Sequence, residues 1–273
     1  MIRRARPWLG TIVEIAADKL AAVEAGFAAI ALAQARMSFH DPASDLARLR
    51  DAAIGRAVAV DPETVAVFRL AAWLHKASGG LFDVTIGRQL VAAGFLPRMT
   101  ANSLTSYTGT ARDIDIVDNR HVRCLRPMLI DLGGIAKGHA VDLAIHAMQA
   151  SGATYGIVNA GGDLRTFGDA DEIIWLRGPD GSLAHSVDMQ NTALASSSNL
   201  LFRRRARGKI ATPHIGRNKA AILSDQTVTV IAPTCAVADA MTKVAMGDLP
   251  LAENLLARIG GKVILTPPLR QAA

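Results

Sequence analysis

Apolar residues recur along this chain in two rhythms. Between positions 19 and about 36, Leu20, Val23, Phe27 and Ile30 return at three- and four-residue spacing, which gathers them on one face of a helix. The same rhythm follows Asp61-Pro62, where Val65, Phe68 and Ala72 point inward from a helix reaching about Ala77. There the aspartate reads as an N-cap and the proline as the first helical residue, whose missing N–H would have no partner anyway. Ser44 caps a short helix after the polar loop 37–43. Val141, Ile145 and Met148 mark a helix ending at Gly152, Thr234 is an N-cap for another, and a last helix runs over 251–259.

Alternating or continuous β-branched runs predict the strands. An opening strand covers 8–16, 58–60 is a short apolar segment, and 114–117 pairs with 121–125 across Asp118-Asn119. Segment 155–160 is a strand ending in Gly161-Gly162-Asp163, followed by strands at 173–177, 227–232 and 263–265, while the apolar 193–195 leads into Ser196-Ser197-Ser198-Asn199. Segment 78–87 reads as a ligand-lining loop or as a helix C-cap leading into a strand, and 99–112 as a surface loop or inter-lobe linker. Strand pairs mixed with helices argue an α+β fold rather than regular βαβ alternation.

Of 273 residues, half are apolar and 20% charged, which predicts a folded chain with a substantial core. No apolar run free of charges is long enough to suggest a membrane span, and the basic start lacks a following apolar region. Cys124 and Cys235 make no metal or redox spacing and read as reduced core residues, so a cytoplasmic location is expected. The net charge of +6 is concentrated in Arg3-Arg4-Arg6 and Arg203-Arg204-Arg205-Arg207. No aromatic residues interleave with these arginines, so stacking on nucleic acid is not expected. A solvated basic loop or a site for a small anion fits better.

The stretch with chemistry is Asp131-Leu132-Gly133-Gly134-Ile135-Ala136-Lys137-Gly138. Two glycines free the backbone N–H groups, and a lysine stands at a helix start, as a phosphate site requires. It matches neither the Walker A nor the G-x-G-x-x-G spacing. Alone, Gly133-Gly134 is equally an ordinary strand-to-helix turn.

Four segments together carry a resemblance. They are Ser78-Gly79-Gly80-Leu81-Phe82-Asp83, the 131–138 stretch, Asn159-Ala160-Gly161-Gly162-Asp163, and Val228 to Thr234 followed by Ala238-Asp239-Ala240. In this order they resemble the ApbE family of FAD:protein FMN transferases, over residues 9 to about 247. The resemblance implies one ApbE-like domain over 1–273, with mixed sheets, flanking helices and an FAD cleft between a main and a smaller lobe. It implies transfer of FMN from FAD to a Thr or Ser hydroxyl of an acceptor protein, with AMP released and magnesium on the diphosphate. FAD hydrolysis is a further implied activity. Such phosphoryl transfer rests on positioning and charge neutralisation.

By the same resemblance, Leu9, Leu81, Phe82, Asp83, Asp131, Lys137 and Ala211 contact FAD. Gly134, through its carbonyl, and Asp239 hold the metal; Asp239 and a histidine are the catalytic groups. Three positions depart from the pattern. Lys243 stands where the family adds a threonine ligand one turn after Asp239. Its ammonium either takes the metal's place, leaving Thr242 as a substitute ligand, or forms a plain i,i+4 ion pair. Lys209-Ile210-Ala211-Thr212-Pro213-His214-Ile215-Gly216 replaces the family's histidine with Lys209, so His214 becomes the candidate base, or else a surface histidine. Arg50 replaces an asparagine and either supplies charge to phosphates or lies on an exposed helix face. The rival expectation is an FAD-binding protein of the same fold without transferase activity.

Overall fold

The computed structural model describes residues 1–99, 101–169, 171–206 and 208–268. Its strands and helices, in chain order, are β1 (Ile2–Trp8), β2 (Thr11–Ala17), α1 (Leu20–Met37), α2 (Asp45–Asp51), β3 (Val58–Ala59), α3 (Pro62–Ala77) and α4 (Gly87–Ala92). Then come β4 (Ile114–Ile116), β5 (His121–Cys124), α5 (Ala136–Ala150), β6 (Gly156–Ala160), β7 (Asp163–Phe167), β8 (Glu172–Arg177) and β9 (Leu183–Met189). The last are β10 (Ala193–Ser197), β11 (Arg204–Ala206), β12 (Lys209–Ala211), β13 (Thr227–Ala232), α6 (Cys235–Gly247), α7 (Leu249–Ala257) and β14 (Lys262–Thr266). The expected mixed α+β class holds. The chain divides into two compact units.

The first unit comprises Met1–Gln34, Ile135–Phe202 and Leu223–Ala273. It is built on a seven-stranded sheet of order β1-β2-β6-β7-β10-β13-β14, each neighbouring pair antiparallel. Because side chains alternate faces along a strand, neighbours in β2 and β6 serve different cores. Ile15 and Val158 pack with Val23, Phe27 and Ile30 of α1 and Val141, Ile145 and Met148 of α5. Ala16 and Ile157 face the opposite way, against Leu176 of β8 and Met189 of β9. The β8–β9 hairpin thus covers the sheet face that the helices leave open, and β13 is buried along its whole length.

Three expectations for this unit change. The opening strand is a hairpin, with Leu9 and Gly10 at positive φ in the turn and Arg3, Arg4 and Arg6 on the edge strand β1. Charge on an edge strand discourages pairing with another chain, and here it also hides the strand from a hydrophobicity reading. Arg3 pairs with Glu14, and Arg6 pairs with Glu24 at 2.8 Å while lying over the Phe27 ring. Second, α1 is by length and composition apolar enough to cross a membrane, its only charges being Glu24 and Arg36. One face of it, Val23, Phe27, Ile30 and Ala33, is nonetheless buried in the core described above. Third, Thr234 occupies the N-cap position of α6, but its side chain makes no capping bond. The Asp142 carboxylate of α5 takes that role, accepting the Cys235 and Ala236 N–H groups at 2.9 Å each.

The second unit comprises Ala35–Gly134 and Arg203–Ile222. Ser44 and Asp61 cap α2 and α3 as expected. The fully buried Asp45 carboxylate joins the two helices by accepting Asp61 N–H at 2.9 Å and the Thr64 hydroxyl at 2.6 Å. A three-stranded sheet of order β3-β5-β4 follows the predicted hairpin. Segment 99–112, apart from Thr100, which lies outside the described residues, is not a linker between units. It packs Tyr107 against Phe39 and Leu129 within this unit. After Asp83 the chain enters α4 rather than a strand. The basic run after Arg203 forms the β11–β12 hairpin instead of a plain loop; its Arg207 lies outside the described residues.

Candidate functional site

In the first unit, four charged side chains converge around the starts of α5 and α6. Lys137 and Gly138 occupy the first turn of α5, as the glycine-to-helix reading predicts. Gly161 and Gly162, both at positive φ, turn β6 into β7 and set Asp163 at the start of β7. A side chain at Gly161 would meet the Thr11 hydroxyl at 2.5 Å, so this turn admits only glycine without rearrangement. Lys137 Nζ lies 2.9 Å from Asp163 Oδ2. One turn apart on α6, the Lys243 ammonium is ion-paired with the fully buried Asp239 carboxylate, whose Oδ2 accepts the Gly138 N–H at 3.2 Å.

Burial first, and then the negative charge of Asp239, raise the Asp163 carboxyl to a pKa of about 6, against the opposing pull of Lys137. Burial alone would lower Lys137, but the charges of Asp163 and Asp239 outweigh it and hold the ammonium above its usual value. Lys137 therefore keeps its charge, while the Asp163 carboxylate is disfavoured. Beside it, burial pushes the Cys235 thiol well up, leaving it protonated and unreactive.

The donors do not fit a divalent cation. Lys243 donates to the Asp239 main-chain oxygen at 3.0 Å and to Ser197 Oγ at 3.2 Å as well as to the carboxylate. Thr242, the expected substitute ligand, donates its hydroxyl to the Asp239 carbonyl at 2.7 Å and lies 2.7 Å from Ser197 Oγ. Among the described residues no group of three His, Cys, Asp or Glu side chains is arranged to hold a metal. Magnesium demands near-octahedral oxygen coordination, and here an ammonium holds the oxygen it would need. Gly134, in the second unit, lies within the turn that precedes α5.

The second unit gathers a further set of the expected residues. Leu81 and Phe82 are buried, and the Phe82 N–H donates to Ser78 Oγ at 2.9 Å, which fixes the Gly79-Gly80 turn. Asp131 N–H donates to the carbonyl of Val84 at 2.8 Å, so the 81–83 loop and the 131–134 turn are neighbours. The Asp83 carboxylate accepts the Thr85 N–H and hydroxyl at 2.7 Å each and is ion-paired with Lys219. Burial works to raise Asp83, but Lys219 and Thr85 outweigh it and hold the carboxyl below its ordinary value.

Ala211 ends β12 and is half-buried. His214 follows at a turn closed by Thr212, whose buried hydroxyl lies 2.9 Å from the carbonyl oxygens of both His214 and Ile222 and shares its one hydrogen between them. The Thr212 hydroxyl thus holds the turn that carries His214, whose N–H it accepts at 3.3 Å. Arg50 is bound to neighbouring Asp51 through two contacts of 2.8 and 3.0 Å. Leu9 sits in the β1–β2 turn of the first unit, its N–H held by Gln34 Oε1 at 2.6 Å.

Sequence reasoning missed Lys219, Ser197 and the role of Asp163. Asp163 had a signal, the glycine pair before it. Lys219 had none, since it stands 136 residues from Asp83.

Fold and site define an α+β protein with a glycine-bordered cluster of two lysines paired to two buried carboxylates. The chain belongs to the ApbE family, whose model matches residues 9–260. It is 30% identical over 132 residues to an FAD:protein FMN transferase of Rhodobacter capsulatus, covering 45% of this chain and 25% of that protein. It is 27% identical over 150 residues to one of Vibrio cholerae, covering 51% and 45%. The matches thus span less than half the length of these curated relatives. The crystal structure of an ApbE protein from Thermotoga maritima superposes with a TM-score of 0.84 at 24% identity, covering 97% of this chain and 93% of that one. The apo Pseudomonas stutzeri flavinyl transferase ApbE superposes at 0.81 with 18% identity, covering 99% and 92%. These structural likenesses show the shared fold.

Proposed function

We propose that the chain, working as a single ApbE-like domain, binds FAD and moves its FMN half to a Thr or Ser hydroxyl of an acceptor protein. The acceptor oxygen attacks the FMN-side phosphorus, the bond to the AMP phosphate breaks, and AMP leaves while the hydroxyl proton passes to a base. Water in place of the acceptor gives FMN and AMP. Family membership and the names of both curated relatives support the reaction class. The observation that carries it to this chain is Lys137, an ammonium kept charged by two buried carboxylates at the first turn of a helix. A cation at a helix start is what a diphosphate needs.

Leu9, Leu81, Phe82, Asp83, Asp131, Lys137 and Ala211 are the residues proposed to bind the flavin nucleotide, and His214 is the proposed proton acceptor. Asp239 is proposed to act by ordering Lys243 and the Gly138 N–H, and no step is assigned to a metal. Two buried free thiols, Cys124 and Cys235, support a reducing, cytoplasmic setting. The test is incubation of the purified chain with FAD, with and without a flavin-acceptor protein, followed by chromatography for AMP. Release of AMP that falls at least tenfold in His214→Ala supports the reading. Intact FAD under every condition, divalent ions included, refutes it.

A further inference from the structure

We propose that the Lys243 ammonium is a resident cation at Asp239, so that the chain holds no divalent metal there and takes its phosphorylated ligand without one. The inference rests on the flavin reading for the ligand, but its core, the occupancy of Asp239, stands apart from it. An ammonium has three N–H donors, and Lys243 has three oxygen acceptors: the Asp239 carboxylate, the Asp239 carbonyl and Ser197 Oγ. The surrounding hydroxyls close the network. Ser197 donates to Thr242 Oγ1, Thr242 donates to the Asp239 carbonyl, and Lys243 supplies the hydrogen that Ser197 accepts. Every oxygen a metal would recruit on this face of α6 is already engaged.

Charge points the same way. The Asp239 carboxylate is fully buried, and its second oxygen is taken by the Gly138 N–H. With Lys137 on Asp163, the cluster holds two ammoniums against two carboxylates and is balanced as it stands. A divalent ion entering here would be repelled by both lysines and would have to expel one from its acid. A surface i,i+4 pair contributes little and is easily exchanged. This pair is not of that kind, because removing its ammonium leaves the buried Asp239 carboxylate without its direct ion partner. The removal should therefore create a cation site.

The test is Mn²⁺ titration of the full chain followed by electron paramagnetic resonance, in wild type and Lys243→Thr, with FAD affinity measured by flavin fluorescence in EDTA and in Mg²⁺. Wild type should bind no Mn²⁺ at this position, and its FAD Kd should agree within about twofold between the two buffers. Lys243→Thr should gain one bound Mn²⁺, lost again when Asp239→Asn is added, and its FAD Kd should tighten at least tenfold with Mg²⁺. Lys243→Gln serves if the threonine variant does not fold. Stoichiometric Mn²⁺ binding by wild type that depends on Asp239 would overturn the proposal, as would failure of both folded Lys243 variants to gain the ion. Absence of FAD binding in either buffer counts against the flavin reading instead, while the Mn²⁺ titration still decides the occupancy of Asp239.

Discussion

The Asp142 carboxylate on α5 accepts the main-chain N–H of Cys235 at 2.9 Å and so fixes the start of α6, the helix that carries Asp239 and Lys243. The same side chain accepts Ala236 N–H at 2.9 Å and binds Arg165 Nη1 at 2.6 Å. Asp142→Ala leaves two helix-start N–H groups and a partly buried guanidinium without partners. The expected loss is about 2–3 kcal/mol of stability, measured by urea denaturation. Thr234→Ala, at the nominal cap, should change stability by less than about 0.5 kcal/mol, since that side chain makes no capping bond.

Gly138 allows α5 and α6 to meet. A Cβ there would stand 2.3 Å from the carbonyl oxygen of Cys235, a main-chain atom that cannot swing aside. Gly138→Ala must part the two helix starts and stretch the Gly138 N–H contact to Asp239. A cost of about 1–3 kcal/mol is expected for the overpacking, together with weaker FAD binding by fluorescence titration. Wild-type stability and affinity in this variant would contradict the placement.

Asp83 and Lys219 predict an acid dependence. The Asp83 carboxyl is held below its ordinary value, so the pair's contribution is fully present above the ordinary carboxylate range and is lost as pH falls through the lowered folded value. Asp83→Asn should cost about 2 kcal/mol at pH 7. The gap between variant and wild type should close as urea denaturation is repeated at successively lower pH. A gap independent of pH would mean that Asp83 contributes by packing alone.

Lys137→Met removes the counter-charge of Asp163, which is 1% exposed. Breaking a buried pair from one side costs roughly 3 kcal/mol, more than a surface lysine would. Asp163→Asn in the same chain should recover part of that stability, but not FAD binding. Recovery of both would remove Lys137 from the binding site.

The helices were legible because caps and periodicity agreed: Ser44, Asp61 and the run Val141, Ile145, Met148 all mark elements that formed. Edge and surface strands were less so. Arginines on β1 and the exposed residues of β9 interrupt the apolar alternation that a sheet with both faces buried shows in β13. The six-residue α4 starts without a side-chain cap and so leaves no local mark. The Asp239–Lys243 contact was readable from its one-turn spacing, whereas Ser197 reaches Lys243 only through the pairing of β10 in the sheet. Similarly, the partner of Lys137 depends on where a hairpin turn delivers Asp163, and the partner of Asp83 on a distant loop.

The proposed reaction moves FMN from FAD to a protein hydroxyl. Intact-mass spectrometry of an acceptor protein, after incubation with FAD and the full chain in EDTA, tests it most directly. A mass gain of one FMN less one water, absent when the acceptor Thr or Ser is replaced by Ala and matched by AMP, is the predicted result. An unmodified acceptor with FAD recovered whole, in EDTA and in Mg²⁺ alike, would contradict it.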